Sequence, residues 1–389
     1  MPRELRALCI VCVVAGAPAL AQTLAPDSQS PQLKPRTPDQ REQTYEAQRR
    51  IHLHVVVTDA AGKPVTGLKP EAFTVLDHDE SQKIAQFEDQ NQSTIGNDAV
   101  HGLVVLDAIN GGKGGVERIR KELVKMLGQR QGPLAYPLQM VVVSDAGNRE
   151  SKPTTDRGAL IEDLIELTRN VHSTDCDLAA PGNDLRDSRI GAGFLGQMNS
   201  AQMRWDCLNS HLNESLNALN LLAQEQQNTN GRAIVIWTGS GWPLPPKVDT
   251  GLIMGGGTRG DLSDAIFALE AGMQEGQVTL EAVSWGEFER AHGVRRAGLQ
   301  GSLAGATIPE QEAALELPAL AQQSGGLVLE KSKSVADALN TCLSDGEQYY
   351  AVAFDPAPTT TQGEWHSIEV KVDRPGATVR TLTGYYTQP

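Results

Sequence analysis

The polar and apolar positions of this chain fall into two textures. From Ile51 the runs are short and alternating: HLHVVVTD, a turn at AAGKPV, FTVLD, a polar tip at HDESQ, then KIAQFED. The last part repeats that texture in YYAVAFDP, HSIEVKVD, a turn at RPGA and TVRTLTGYY. Period-two alternation bounded by Gly, Pro and Asp predicts three strands at each end. A small sheet is marginal alone in water, so the two ends are expected to meet in one β-sandwich, from residues 50–90 and 347–389.

Between them the runs LVVLD (103–107), LQMVVVSD (138–145), AIVIWTG (233–239), VTLEAVSW (278–285) and GLVLE (326–330) show no alternation. Strands covered on both faces read this way. Helical spacing separates them: Val116, Ile119 and Leu123; Leu160, Ile161, Leu164 and Ile165; Leu208, Leu212, Leu216 and Leu219. Strand and helix in alternation predict a doubly wound parallel sheet over 98–346, an α/β domain inserted into the sandwich. Two stretches, 171–202 and 242–262, read as irregular binding loops.

The front of the chain has its own signature. Arg3 and Arg6 precede an apolar run from Ala7 to Leu20, and Ala19-Leu20-Ala21 offers a small-x-small cleavage site. That is the anatomy of a secretory signal peptide over residues 1–21, with an apolar run shorter than the roughly 20 residues a spanning helix needs. Residues 22–49, with Pro26, Pro31, Pro35 and Pro38 among polar residues, read as a disordered linker. The expectation is a bacterial product, secreted or periplasmic, with no membrane span after cleavage.

The formal charge is −14, and loss of Arg3, Glu4 and Arg6 with the leader makes it one unit more negative. Such a chain repels phosphate backbones, and no basic stripe offsets this, so nucleic acid is not expected as a partner. Cleavage leaves Cys176, Cys207 and Cys342, an odd number for an oxidising compartment. Cys176 and Cys207 flank one polar loop and are candidates for a disulfide. Cys342 lies in a predicted helix and reads as a buried free thiol.

In an open α/β sheet, ligands bind beyond the carboxyl ends of the strands where strand order reverses. That rule selects Asp107 and Asn110 after one strand, and Thr238, Gly239 and Ser240 after another. Here the chain resembles von Willebrand factor A domains, whose first strand ends in Asp-x-Ser-x-Ser and whose later strand ends in Thr-Asp-Gly. In that family these residues, with a Thr from a further loop, hold a divalent cation. This chain has Asp107-Ala108-Ile109-Asn110-Gly111 and Thr238-Gly239-Ser240, so Ile109 and Gly111 stand at the Ser positions and Gly239 at the second carboxylate's. A hard cation needs near-octahedral oxygen ligation, which Ile and Gly side chains cannot supply. No tight metal site and no cofactor are expected; weak divalent-cation contact at Asp107, helped by Asn110, Ser240 and Ser173 or Thr174, is the most the pattern allows. With its flanks included, from Ile51 to Tyr386, the chain resembles the exported VWFA-related proteins abundant in acidobacteria. The resemblance implies a von Willebrand factor A-like domain with a degenerate metal-ion-dependent adhesion site.

The remaining motifs are weak. Gly111-Gly112-Lys113-Gly114-Gly115 fits neither nucleotide-loop pattern and reads as a flexible turn. Thr238-Gly239-Ser240-Gly241 lacks the Gly two before the Ser that a nucleophile elbow needs. His52 and His54 share a strand face, and His211 follows Cys207 by four residues on a helix; either pair begins a zinc pattern, but a third ligand is missing from view. Arg259-Gly260-Asp261 spells an integrin-binding tripeptide, too short to separate from chance. The expected function is a non-enzymatic protein-binding or adhesion module that holds an unidentified protein partner through Asp107, Asn110, Ser173, Thr174, Thr238 and Ser240. The alternatives are a structural or assembly protein of the cell envelope and, behind it, a hydrolase.

Overall fold

A computed structural model describes residues 50–90, 100–176, 192–227, 229, 231–242, 268–284, 316–330, 334–357 and 363–387. The leader, the linker, residues 177–191, the 243–262 stretch and its Arg-Gly-Asp tripeptide lie outside the described residues. In chain order the strands are β1 (Ile51–Thr58), β2 (Phe73–Asp77), β3 (Glu80–Gln82), β4 (Ile84–Asp89), β5 (Val100–Asp107), β6 (Leu138–Ser144), β7 (Gly147–Glu150), β8 (Arg232–Gly239), β9 (Val278–Ser284), β10 (Val328–Glu330), β11 (Tyr350–Phe354), β12 (Trp365–Val372), β13 (Thr378–Arg380) and β14 (Gly384–Tyr386). The helices are α1 (Ala108–Gln129), α2 (Arg157–Leu167), α3 (Ala192–Gln226), α4 (Leu317–Gln323) and α5 (Val335–Asp345), with a further helical stretch over 268–275.

The two ends of the chain interleave. One sheet has the order β13-β1-β11-β4 and the other β14-β12-β2-β3. Ile51 pairs with Phe354 and Phe73 with Val372, both antiparallel, so each sheet combines strands from before and after the central domain. Their inward positions Leu53, Val55, Val75, Tyr350, Val352 and Phe354 are buried together in one cluster, the core of a sandwich. Each end supplies four strands where the alternation predicts three. The HDESQ tip closes at His78 and Asp79, both with positive φ (47° and 66°), and its remainder becomes β3. The TVRTLTGYY run splits, β13 joining β1 and β14 joining β12.

The central sheet has the order β10-β9-β8-β5-β6-β7, parallel except for the antiparallel pairing of β6 with β7. Apolar side chains cover both faces, one beneath α3 and α4 and the other beneath α1, α2 and α5. Strand order reverses between β5 and β8, the neighbours with the longest excursion between them. This is a doubly wound α/β domain set into a β-sandwich. Two local expectations are corrected. The glycine run is no free turn: α1 begins at Ala108, and Gly112 (φ 64°, ψ 176°) breaks its first turn from the rest. A left-handed φ is open to glycine at little cost, which is why the kink falls there. Residues 192–202, read as irregular, belong to α3.

A buried ionic cluster joins the domain to the sandwich. Arg232, at the start of β8 and with no measurable exposure, donates from Nη2 to Asp345 Oδ2 (3.3 Å) and from Nη1 to the Asp345 carbonyl (3.0 Å), and lies over the Tyr349 ring. Arg380 of β13 donates to the other oxygen of Asp345. Beside them Glu281 on β9 is also fully buried. Burial, reinforced by the nearby Asp345 charge and only partly offset by Arg232 and Arg380, pushes its carboxyl up to about 8. A carboxyl that holds its proton better folded than unfolded stabilises the fold in acid, and that contribution drains away as the pH rises from the ordinary carboxylate range towards 8. Glu281→Gln is therefore expected to raise the melting temperature by a few degrees in mild alkali, to leave it nearly unchanged in mild acid, and to flatten the slope between. A calorimetric pH series checks this; an unaltered slope in the variant counts against it. Cys342, buried and unpaired with another cysteine, sits next to Glu281.

Candidate functional site

The crevice at the carboxyl ends of β5 and β8 is built around Asp107. This residue ends β5 and caps α1, where a carboxylate meets the free N–H groups of the first helical turn. It is fully buried. Its Oδ1 accepts from the Asn110 backbone N–H at 2.9 Å, and its Oδ2 accepts from the Asn110 side-chain amide at 2.8 Å and the Trp237 indole N–H at 3.0 Å. Burial pushes the carboxyl up from its ordinary range, while those three donors and the nearby His211 pull it back.

The neighbours extend the network. Asn110 Nδ2 also reaches Ser215 Oγ of α3 (2.9 Å), whose hydroxyl donates in turn to the His211 carbonyl (2.9 Å). Ser240 Oγ donates to the Asn110 carbonyl (2.8 Å), tying the end of β8 to the first turn of α1. Asn110 Oδ1 is buried and meets no donor among the described residues.

Gly239 explains how the strands come so close. A Cβ added there would stand 3.0 Å from the Asp107 Cβ and 3.5 Å from its Oδ2. A side chain at this position therefore needs Asp107 to give by a few tenths of an ångström. A second carboxylate would also face the first across a dry gap with no counter-charge, which is costly.

Of the residues selected from the sequence, Asp107, Asn110 and Ser240 meet directly. Thr238, fully buried, commits its hydroxyl proton to the Val105 carbonyl (2.6 Å), a cross-strand tie beneath the crevice. Ser173 borders the Gly112 kink, its Oγ 3.9 Å from where a Cβ on that glycine would lie. Thr174 donates to Asp145 Oδ2 at 2.5 Å. Cys176 and Cys207 are joined by a disulfide that fastens this loop to α3. Three participants were missed in the sequence: Trp237, Ser215 and Asp145. Asp145 closes the run LQMVVVSD just past a strand end, a position the switch-point rule could have flagged; Trp237 and Ser215 carry no such mark.

No family model matches the chain, and no curated protein matches it. Solved structures with similar folds include an aerotolerance-related membrane protein from Bacteroides fragilis, 10% identical, covering 63% of this chain and 99% of that one with a TM-score of 0.31. The conserved hypothetical protein BatB from Bacteroides thetaiotaomicron is 12% identical and covers 64% of this chain and 98% of that one, with a TM-score of 0.30. A von Willebrand factor type A protein from Catenulispora acidiphila is 10% identical, covering 87% of this chain and 73% of that one with a TM-score of 0.29. At these identities the functional reading rests on the residues of this chain. Among the described residues no helix is long and apolar enough to cross a membrane.

Proposed function

We propose that this chain is an exported, non-enzymatic binding module whose von Willebrand factor A-like domain grips a protein partner at the β5–β8 crevice without a metal ion. One observation carries the reading: both oxygens of Asp107 are closed by N–H groups of Asn110 and Trp237, which stand where a cation would otherwise neutralise the carboxylate. The hydroxyls of Ser240 and Ser173, both partly exposed, are left as polar contacts for the partner. Export rests on the leader-like first residues of the sequence.

Hydrolysis fits the site poorly. The Ser240 proton is directed to a backbone carbonyl, which cannot take it up, so the hydroxyl is not activated as a nucleophile.

Calorimetric titration of the protein with magnesium or manganese is expected to show no saturable binding. Tight uptake at one ion per chain, lost in Asn110→Ala, would end the metal-free version. Capture of a partner from the native envelope is expected to weaken when Ser173→Tyr and Lys113→Glu are introduced beside the kink at Gly112; undiminished capture would move the interface elsewhere.

A further inference from the structure

The Cys176–Cys207 disulfide lies against a third side chain that ligates metals. His211 follows Cys207 by one helical turn on α3 and is buried. Its Nε2 stands 3.7 Å from Cys176 Sγ and 3.9 Å from Cys207 Sγ, and its Nδ1 stands 3.6 Å from Cys176 Sγ. All three ligand atoms fall within 4.8 Å of one another. The i, i+4 spacing that begins a zinc pattern on the helix is completed by a cysteine from a loop 35 residues away.

The geometry points to a redox-gated metal site: once the disulfide is reduced, Cys176, Cys207 and His211 form a Cys₂His site for a thiophilic divalent cation of the zinc class, with solvent in the fourth position. Zinc holds sulfur at about 2.3 Å and imidazole nitrogen at about 2.0–2.1 Å in a tetrahedron. The sulfur-to-nitrogen edges of that tetrahedron are therefore about 3.6 Å long and its sulfur-to-sulfur edge about 3.8 Å. Both sulfurs already stand near the first distance from Nε2. Reduction frees the two sulfurs to separate towards the second distance.

The redox step requires an external dithiol. Its thiolate attacks one sulfur of the Cys176–Cys207 bond to give a mixed disulfide, and its second thiol then displaces the other half. The protein gains two electrons and two protons, and the dithiol leaves as its own disulfide. Cation binding then releases both thiol protons to solvent as the sulfurs become thiolate ligands. The oxidised protein has no thiolate to offer here, so the bond gates the site. The ligands also differ in kind from those at Asp107: sulfur and imidazole select a borderline-soft ion, while a lone carboxylate and an amide oxygen do not. Ser215, which accepts from Asn110 and donates to the His211 backbone carbonyl, links the two sites through two hydrogen bonds.

Cobalt and zinc titrations of the full chain with Cys9 and Cys12 replaced by serine, under oxygen-free conditions, test the inference, with a phosphine reductant removed before metal is added. The reduced protein should take up one cobalt ion per chain with a thiolate-to-cobalt charge-transfer band, and zinc should displace it. The oxidised protein should show no band. Cys342→Ser should keep the band, whereas Cys207→Ser and His211→Gln should each lose it or its stoichiometry. Absence of the band in reduced, folded protein overturns the inference, as does its persistence in Cys207→Ser. A reduced chain that loses its circular-dichroism signature of folding overturns it equally, since the site needs α3 and its loop held together.

Discussion

Replacing Asp107 by alanine is expected to destabilise the folded chain by about 2–4 kcal/mol, read as a lower denaturant midpoint at unchanged slope. The carboxylate is fully buried and is the acceptor for three N–H groups, two of them on side chains packed in the same crevice. Alanine removes the acceptor and leaves the Trp237 indole and the Asn110 amide with one bond fewer each, in a place water does not reach. It also strips α1 of its cap, a loss of about 1 kcal/mol in itself. Relief of the desolvated charge works the other way and keeps the total below the sum of these terms. Asparagine restores only part of the loss, because whichever way its amide is turned an N–H confronts a donor of Asn110 or Trp237. The measurement separates two roles for the residue. A carboxylate kept for a cation sits in an otherwise repulsive site, and its removal from the metal-free protein should be neutral or stabilising. Equal midpoints for wild type and variant would remove the basis for metal-free recognition.

The other large effect is expected at the junction of the two layers. Arg232→Ala should cost up to about 3–5 kcal/mol, the penalty for breaking a buried ion pair, with Arg380 left to offset part of the Asp345 charge. Arg232 contributes two bonds to Asp345, a bond to Thr279 Oγ1 at 3.3 Å, and the face-on contact with Tyr349. Removing it leaves Asp345 with Arg380 as its remaining cation and Glu281 close by, both acidic groups deep in protein. A double-mutant cycle with Asp345→Ala should return a favourable coupling of about 1–3 kcal/mol between the two residues. Strictly additive losses would show that Arg232 acts through packing on Tyr349 instead.

The parts of this fold that could be read in the sequence are those where burial leaves a pattern. β5, β6, β8 and β9 are covered on both faces, so their runs are continuously apolar, and the ends of β5 and β8 point to Asp107, Asn110 and Ser240. β7 is the opposite case. Gly147–Glu150 is exposed throughout and forms a strand only because the free edge of β6 offers hydrogen bonds, a tertiary cause with no local trace. The start of α3 was hidden in a similar way, since AGFLGQMNSAQ has no clean apolar face to mark a helix. At the site, Trp237 was absorbed into an apolar strand; its indole N–H became significant only when the β5–β8 register set it beside Asp107. The Cys176–Cys207 pairing and the Cys207–His211 spacing can each be read in the sequence; that both sulfurs stand against the same imidazole is set by how the loop meets α3.

The interleaved sandwich has a consequence for biogenesis. Because Ile51 finds its partner in Phe354, and Phe73 in Val372, the earliest strands to leave the ribosome have nothing to pair with until almost the whole polypeptide has been made. Loop closure over such a span makes early docking slow. The leading strands therefore stay unpaired through most of synthesis, and the sandwich closes only when its final strands are in place.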